Sequence, residues 1–230
     1  MTAPVALLLS GGMDSVTCLW WLRARPGVEV HTVSVDYGQR HLVELECAAD
    51  LSRRAGAVEH GVLRLDLTAI GGSPLTDPGL DVPDADAGQQ SATVVPFRNL
   101  LLTGVAAAWA EVRGIDDLYL APVRDDCDAY RDCRRAFYDS LEQTLRLGAT
   151  RERPVRVHTP FVDRWKHEVV ALGLELGVPY ERTHTCYTGR RPACGRCDAC
   201  AERLAAFAAN AVPDPLAYEI NAPAQSEDEP

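Results

Sequence analysis

Val5-Ala6-Leu7-Leu8-Leu9-Ser10-Gly11-Gly12-Met13-Asp14-Ser15 runs from an apolar stretch into a glycine-rich turn, and residues 14–22 continue it with Cys18, Leu19 and Leu22 on one helical face. A strand that passes through such a turn into a helix leaves the first helical amides unpaired and directed at whatever lies beyond, which suits an anion. Gly11 and Gly12 let a ligand approach the backbone, and Ser10 and Ser15 add hydroxyls. A Walker loop requires Lys directly before its Ser or Thr. Asp14 holds that place here, so the turn is a phosphate loop of another kind or a plain turn.

Outward from this unit the alternation repeats. Residues 28–35 read as a second strand, followed by Tyr37-Gly38-Gln39-Arg40, a helix over 41–55 and a short third strand at 62–65. Residues 70–91 are rich in Gly, Pro and Asp and read as a long loop. A buried helix is expected over 99–112, a strand at 117–121, a polar loop through Arg134, a helix over 136–147 and a strand at 155–158. The next helix is one that Asp163 can cap and that Gly177 and Pro179 close. A turn-rich cysteine segment follows over 183–200, then a helix over 201–209. This order predicts an α/β fold with a doubly wound parallel sheet, whose ligands sit beyond the carboxyl ends of the strands. The expected domains are 1–182 for the sheet, 183–210 for the cysteine module and 211–230 for an acidic tail too polar to pack from about Pro223.

The chain has 230 residues, 47% of them hydrophobic, enough for one substantial core. Its 33 acidic and 23 basic residues give a net charge of −10, which counts against a protein that coats nucleic acid. No run of about 18 apolar residues and no basic N-terminal signal segment is evident, so neither membrane nor secretory route is expected and the cytosol is the predicted location. There, eight cysteines should be reduced, and a cluster of them reads as a metal site. Cys186, Cys194, Cys197 and Cys200 form such a cluster, with turns at Gly189, Pro192 and Gly195. Four thiolates favour a structural tetrahedral Zn²⁺, with an iron–sulfur cluster as the alternative. His184 beside a complete set reads as a packed residue. Lys166 is the single lysine among the 23 basic residues, and a compact ammonium on phosphate is a role that arginine does not duplicate.

Ser10–Ser15 matches the Ser-Gly-Gly-x-Asp-Ser hallmark of the PP-loop ATP pyrophosphatases. Together with the cysteine module, the chain resembles the QueC family within that superfamily over residues 5–205. Three further segments carry the resemblance: Asp36-Tyr37-Gly38-Gln39-Arg40-His41, Val95-Pro96-Phe97-Arg98-Asn99, and His158-Thr159-Pro160 with Asp163 and Lys166. The resemblance implies a Rossmann-like fold of the adenine nucleotide alpha hydrolase (HUP) kind and a homodimer. It implies ligase chemistry in which 7-carboxy-7-deazaguanine, ammonia and ATP give 7-cyano-7-deazaguanine through adenylated intermediates, as in queuosine biosynthesis.

The resemblance also implies site roles. Ser10, Gly11, Gly12, Asp14 and Ser15 would grip pyrophosphate, with Asp14 helping to hold Mg²⁺, and Asp36, Tyr37, Gln39 and Arg40 would contact adenine and ribose. Lys166, and secondarily Arg98, would neutralise the phosphates in the transition state. Phe97, Arg98, Asn99, Asp126, Tyr130, Asp132, Cys133 and Arg134 would face the acceptor. Zn²⁺ would hold a C-terminal flap. The chain departs from the family in Val123–Arg134, which keeps Asp126, Tyr130, Asp132, Cys133 and Arg134 but loses an Asn, a Tyr and a Ser-Gly pair, and in the bulky Phe97. Two alternatives therefore stand beside the nitrile product: an adenylating enzyme that stops at the amide or joins the acid to another amine or a protein, and a tRNA-modifying protein whose cysteines form a zinc ribbon. Cys133 has no evident base beside it and reads as a structural or contact residue, not a nucleophile.

Overall fold

The computed structural model describes residues 2–88 and 90–219; the tail expected from Pro223 lies outside the described residues. Five strands form one sheet among them: β1 (Ala3–Leu8), β2 (Val28–Asp36), β3 (Glu59–Arg64), β4 (Asp117–Tyr119) and β5 (Arg156–His158). All pair in parallel in the order β3-β2-β1-β4-β5. The helices are α1 (Met13–Arg23), α2 (Val43–Arg54), α3 (Arg98–Val112), α4 (Asp126–Ala129), α5 (Arg135–Gly148), α6 (Lys166–Glu175) and α7 (Asp198–Ala209).

The period-two alternation of β1 explains why both faces of the sheet are covered. Val5 and Leu7, with Leu9 just beyond, enter a cluster built from α1, α2, α6 and α7, including Leu19, Leu51, Val169 and Phe207. Ala6 and Val33 enter a second cluster with Ala106, Trp109 and Ala110 of α3 and Leu118 of β4. The chain order reverses direction between β1 and β4, and a parallel sheet opens a crevice at that switch point.

Two boundaries differ from the sequence reading. Asp163 does not cap α6: it pairs with Arg135, and the helix starts at Lys166 after Trp165, whose backbone N–H donates to Glu168 Oε2 at 2.8 Å. The chain also stays on the fold past residue 211. Tyr218 and Leu216 pack on the cysteine cluster, and Ala193 pairs with Tyr218. The anchor is Arg203, fully buried, which donates to Asp214 at 2.7 and 2.9 Å and to the Tyr180 carbonyl at 2.9 Å. No helix of the described residues is long and apolar enough to cross a membrane.

Candidate active site

The carboxyl ends of β1 and β4 open into a cavity lined by Leu9, Ser10, Leu120 and Pro122, at the switch point that the strand order defines. The phosphate loop forms its floor. Gly11 has φ +93°, and a Cβ there would lie 2.1 Å from the Glu44 carbonyl oxygen, so only glycine allows α2 to pack against the turn. Ser10 Oγ accepts from Gly12 N at 3.1 Å and lies 2.9 Å from Ser15 Oγ, which donates to the Gly12 carbonyl at 3.1 Å. Ser10, Gly12, Asp14 and Ser15 line the cavity; Gly11 acts from behind by letting α2 close in.

Lys166 reaches the loop from the first turn of α6, with its side chain 7% exposed. Its ammonium is 2.6 Å from Glu202 Oε2, 3.6 Å from Asp126 Oδ1 and 3.7 Å from Asp14 Oδ2. Burial alone would lower the lysine pKa, but the three carboxylates outweigh it and hold Lys166 charged. One ammonium among three carboxylates leaves net negative charge where pyrophosphate is expected, so a second cation suits the site. Asp14 Oδ1 is buried without a hydrogen-bond partner, and burial followed by the neighbouring acids raises its carboxyl above the usual range despite Lys166. Asp14 with Asp126 thus fits a hard divalent cation, for which oxygen ligands are the rule. Glu202, brought in by α7, was not evident from sequence.

Tyr37, Gln39, His41, Glu44, Arg98 and Tyr187 also line the cavity. Gln39 fixes the turn after β2, accepting from Tyr37 N at 2.8 Å and donating to the Val35 carbonyl at 3.2 Å. Arg98 opens α3 and hydrogen-bonds Tyr37. His41 is buried, its Nε2 3.4 Å from Tyr37 Oη, and burial first, then Arg98, lowers its pKa to about 3, so the ring is neutral. His41, Glu44 and Tyr187 escaped the sequence reading as site residues, although His41 closes the Asp36–His41 segment and Tyr187 follows Cys186.

The acceptor loop divides. Asp126, Tyr130 and Cys133 line the cavity, with Tyr130 Oη 2.8 Å from Thr93 Oγ1 and 3.4 Å from Tyr187 Oη. Asn99 lines it too, and its Nδ2 donates to Cys133 Sγ at 3.3 Å. Burial pushes the Cys133 thiol up, away from a nucleophilic thiolate. Besides Gly11, five expected contacts do not reach the cavity directly. Phe97 is 70% exposed because its φ of 56° turns the side chain outward. Arg40 Nη2 donates to the carbonyls of Leu80 and Asp77 at 2.6 and 3.2 Å, bracing the long loop. Asp36 accepts from Gly38 N at 3.2 Å and so shapes the turn. Asp132 accepts from Asn99 N at 3.2 Å, and Arg134 donates to the Cys127 carbonyl at 2.8 Å.

Cys186, Cys194, Cys197 and Cys200 are all buried, with their sulfurs within 4.8 Å of one another. A tetrahedral zinc with Zn–S bonds of about 2.3 Å needs sulfurs about 3.8 Å apart, and Cys194 and Cys200 Sγ are 3.9 Å apart. The donor set fits a closed structural ion. The cluster also holds the long loop, through pairing of Asp84 with Cys197 and the Ala85 N–H on the Arg196 carbonyl at 2.8 Å.

A family model described as queuosine biosynthesis protein QueC matches residues 5–211. The chain belongs to the QueC family. Proteins named 7-cyano-7-deazaguanine synthase are similar to it end to end. The one from Anaeromyxobacter sp. is 45% identical over 94% of this chain and 97% of its own length. The one from Nitrosococcus oceani is 43% identical over 95% and 100%, and that from Clostridium kluyveri 39% over 93% and 96%. Among solved structures, NMN synthetase from Francisella tularensis matches with a TM-score of 0.50 at 16% identity, covering 91% of this chain and 77% of that one, a likeness of fold. The matched residues span both the phosphate loop and the cysteine module.

Proposed function

We propose that this enzyme converts 7-carboxy-7-deazaguanine and ammonia into 7-cyano-7-deazaguanine at the expense of ATP. The observation that carries the reading is the end-to-end similarity to proteins named for that product. An intact phosphate loop at the switch point of the sheet supports it.

The substrate carboxylate attacks the α-phosphorus of ATP, an oxygen–phosphorus bond forms, and pyrophosphate leaves. Ser10, Gly12 and Ser15 hold the departing pyrophosphate, and Lys166 neutralises charge that grows on it. Ammonia then adds to the acyl carbon, and AMP leaves with the electron pair of the carbon–oxygen bond. The amide oxygen repeats the attack on a second ATP. Loss of a second AMP and of the protons on nitrogen gives the nitrile. Arg98, Asn99, Asp126 and Tyr130, which line the cavity, orient the acceptor. Mg²⁺, held by Asp14 and Asp126, would offset their charge, and Zn²⁺ on the four cysteines would keep Thr185, Tyr187 and Glu202 over the cavity. The same reading includes a cytosolic homodimer. It is tested by ATP–pyrophosphate exchange: the deazapurine acid should stimulate exchange, whereas guanine, lacking the carboxylate, should not. Exchange indifferent to the acid would remove the assigned acceptor.

A further inference from the structure

Two cations line the cavity, and they are held differently. Lys166 faces three carboxylates, the nearest at 2.6 Å. Arg98 makes no ion pair with a carboxylate among the described residues. The left-handed backbone of Phe97, at φ 56°, turns that ring outward and starts α3 with Arg98 at the cavity. There the guanidinium hydrogen-bonds Tyr37 and faces Tyr187 and Tyr130. Their hydroxyls belong to one polar patch, with Tyr130 Oη 3.4 Å from Tyr187 Oη and Tyr37 Oη 3.4 Å from His41 Nε2. Neutral hydroxyls solvate a guanidinium but do not cancel its charge, so an anionic ligand suits this end of the cavity.

Two kinds of anion enter the proposed reaction: the phosphates of ATP and the carboxylate of the acceptor. Ser10, Gly12, Ser15 and Lys166 already provide for the phosphates. Glu44 faces Arg98, and its Oε1 lies 3.9 Å from the point that a Cβ on Gly12 would occupy, so this carboxyl stands against both Arg98 and the loop. It repels a polyphosphate more than a singly charged group, because Coulomb energy scales with the product of the charges. The surroundings of Arg98 point the same way. Tyr130 belongs to the loop expected to face the acceptor, and the adjacent Asn99 donates to Cys133 Sγ of that loop at 3.3 Å.

We propose that Arg98 is the specificity-determining residue for the acid group of the acceptor, its guanidinium gripping the carboxylate through two parallel N–H···O bonds beside the hydroxyls of Tyr37, Tyr130 and Tyr187. This rests on the function proposed above. Each carboxylate oxygen keeps a second lone pair, so the acid so held can still attack the α-phosphorus. The amide formed in the first half of the reaction offers a single neutral carbonyl oxygen instead. Arg98 therefore distinguishes the two acceptors that one cavity must activate in turn.

The test is calorimetric titration of the full-length protein with three ligands taken separately: 7-carboxy-7-deazaguanine, the corresponding carboxamide, and Mg–ATP. Arg98→Gln should weaken the acid by about 10–10²-fold, the usual worth of a hydrogen bond to a charged group, and should leave the carboxamide and Mg–ATP within about three-fold of wild type. Retained Mg–ATP binding also shows that the variant folds. Arg98→Lys keeps the charge without the fork and should lose less acid affinity than Arg98→Gln while still favouring the acid over the amide. Acid and carboxamide weakening in parallel would overturn the assignment. So would a loss of Mg–ATP affinity with acid binding intact, which would give Arg98 to the phosphates. A wild type that binds neither deazapurine would refute the proposed function itself, whereas parallel loss in variants of a wild type that binds both would refute only the role of Arg98.

Discussion

Replacing Lys166 by Ala removes a cation whose ammonium lies 2.6, 3.6 and 3.7 Å from three cavity carboxylates. If all three stayed ionised, the loss would resemble breaking a buried ion pair, about 3–5 kcal/mol. They need not stay ionised, because Asp14 already holds its proton more tightly than an ordinary aspartate and the others can follow. A carboxyl whose folded pKa lies above its unfolded one stabilises the protein most at low pH and loses that contribution as pH rises through the folded value. The deficit of the variant should therefore be about 3 kcal/mol at pH 8 and shrink towards pH 5. ATP–pyrophosphate exchange should fall by about 10²–10³-fold, the usual cost of removing one electrostatic stabiliser of the transition state. Urea denaturation across pH and the exchange assay read the two effects separately. Wild-type exchange in the variant, or a deficit that grows as pH falls, would refute the charge arrangement described here.

Glu44 should also be visible in stability. Its folded pKa of about 8 exceeds the ordinary glutamate value of 4.5, so the native state keeps a proton that the unfolded chain releases across that window. Wild type should lose about 1.4 kcal/mol per pH unit from this group as pH rises between those values, and Glu44→Gln should give a flatter urea profile over pH 5–8; parallel profiles would count against the burial argument. Asp214→Asn should cost about 3–5 kcal/mol by stranding the buried Arg203 charge, measured as a shift of the urea midpoint, with Arg203 0% and Asp214 1% exposed. If the four cysteines hold zinc as proposed, a chelator should release about one zinc per chain, read by elemental analysis. It should also open the long loop to Asp-directed protease at Asp77, Asp81, Asp84 and Asp86, because Asp84 is paired with Cys197; cleavage unchanged by chelation would show that the loop is held by something else.

The parts of the site that are local in sequence were legible there. Ser10–Ser15 is a single strand–turn–helix junction, and the cysteine spacing alone brings Cys194, Cys197 and Cys200 onto one turn and the helix after it. The alternation of strands and helices was enough for a parallel sheet, and the order then placed the cavity. What tertiary packing supplies was not legible. Glu202 meets Lys166 because α6 and α7 pack together, and Glu44 meets the phosphate loop because Gly11 lets α2 approach. Position in a motif also did not reveal direction. Arg40 and Gln39 are neighbours, yet one braces an outer loop and the other lines the cavity, and the left-handed backbone at Phe97 turns it away while Arg98 points in. Asp214, between two prolines, fell within the expected tail, and only the packing of α7 reveals it as the buried partner of Arg203.

The most direct test of the account is the mass of the product. Purified enzyme given 7-carboxy-7-deazaguanine, ATP, Mg²⁺ and ¹⁵N-ammonium should form 7-cyano-7-deazaguanine carrying one labelled nitrogen. The labelled amide should rise and then decay, and two AMP should appear per nitrile. Accumulation of the amide with no nitrile, or an acid left unconsumed while ATP is present, would contradict it.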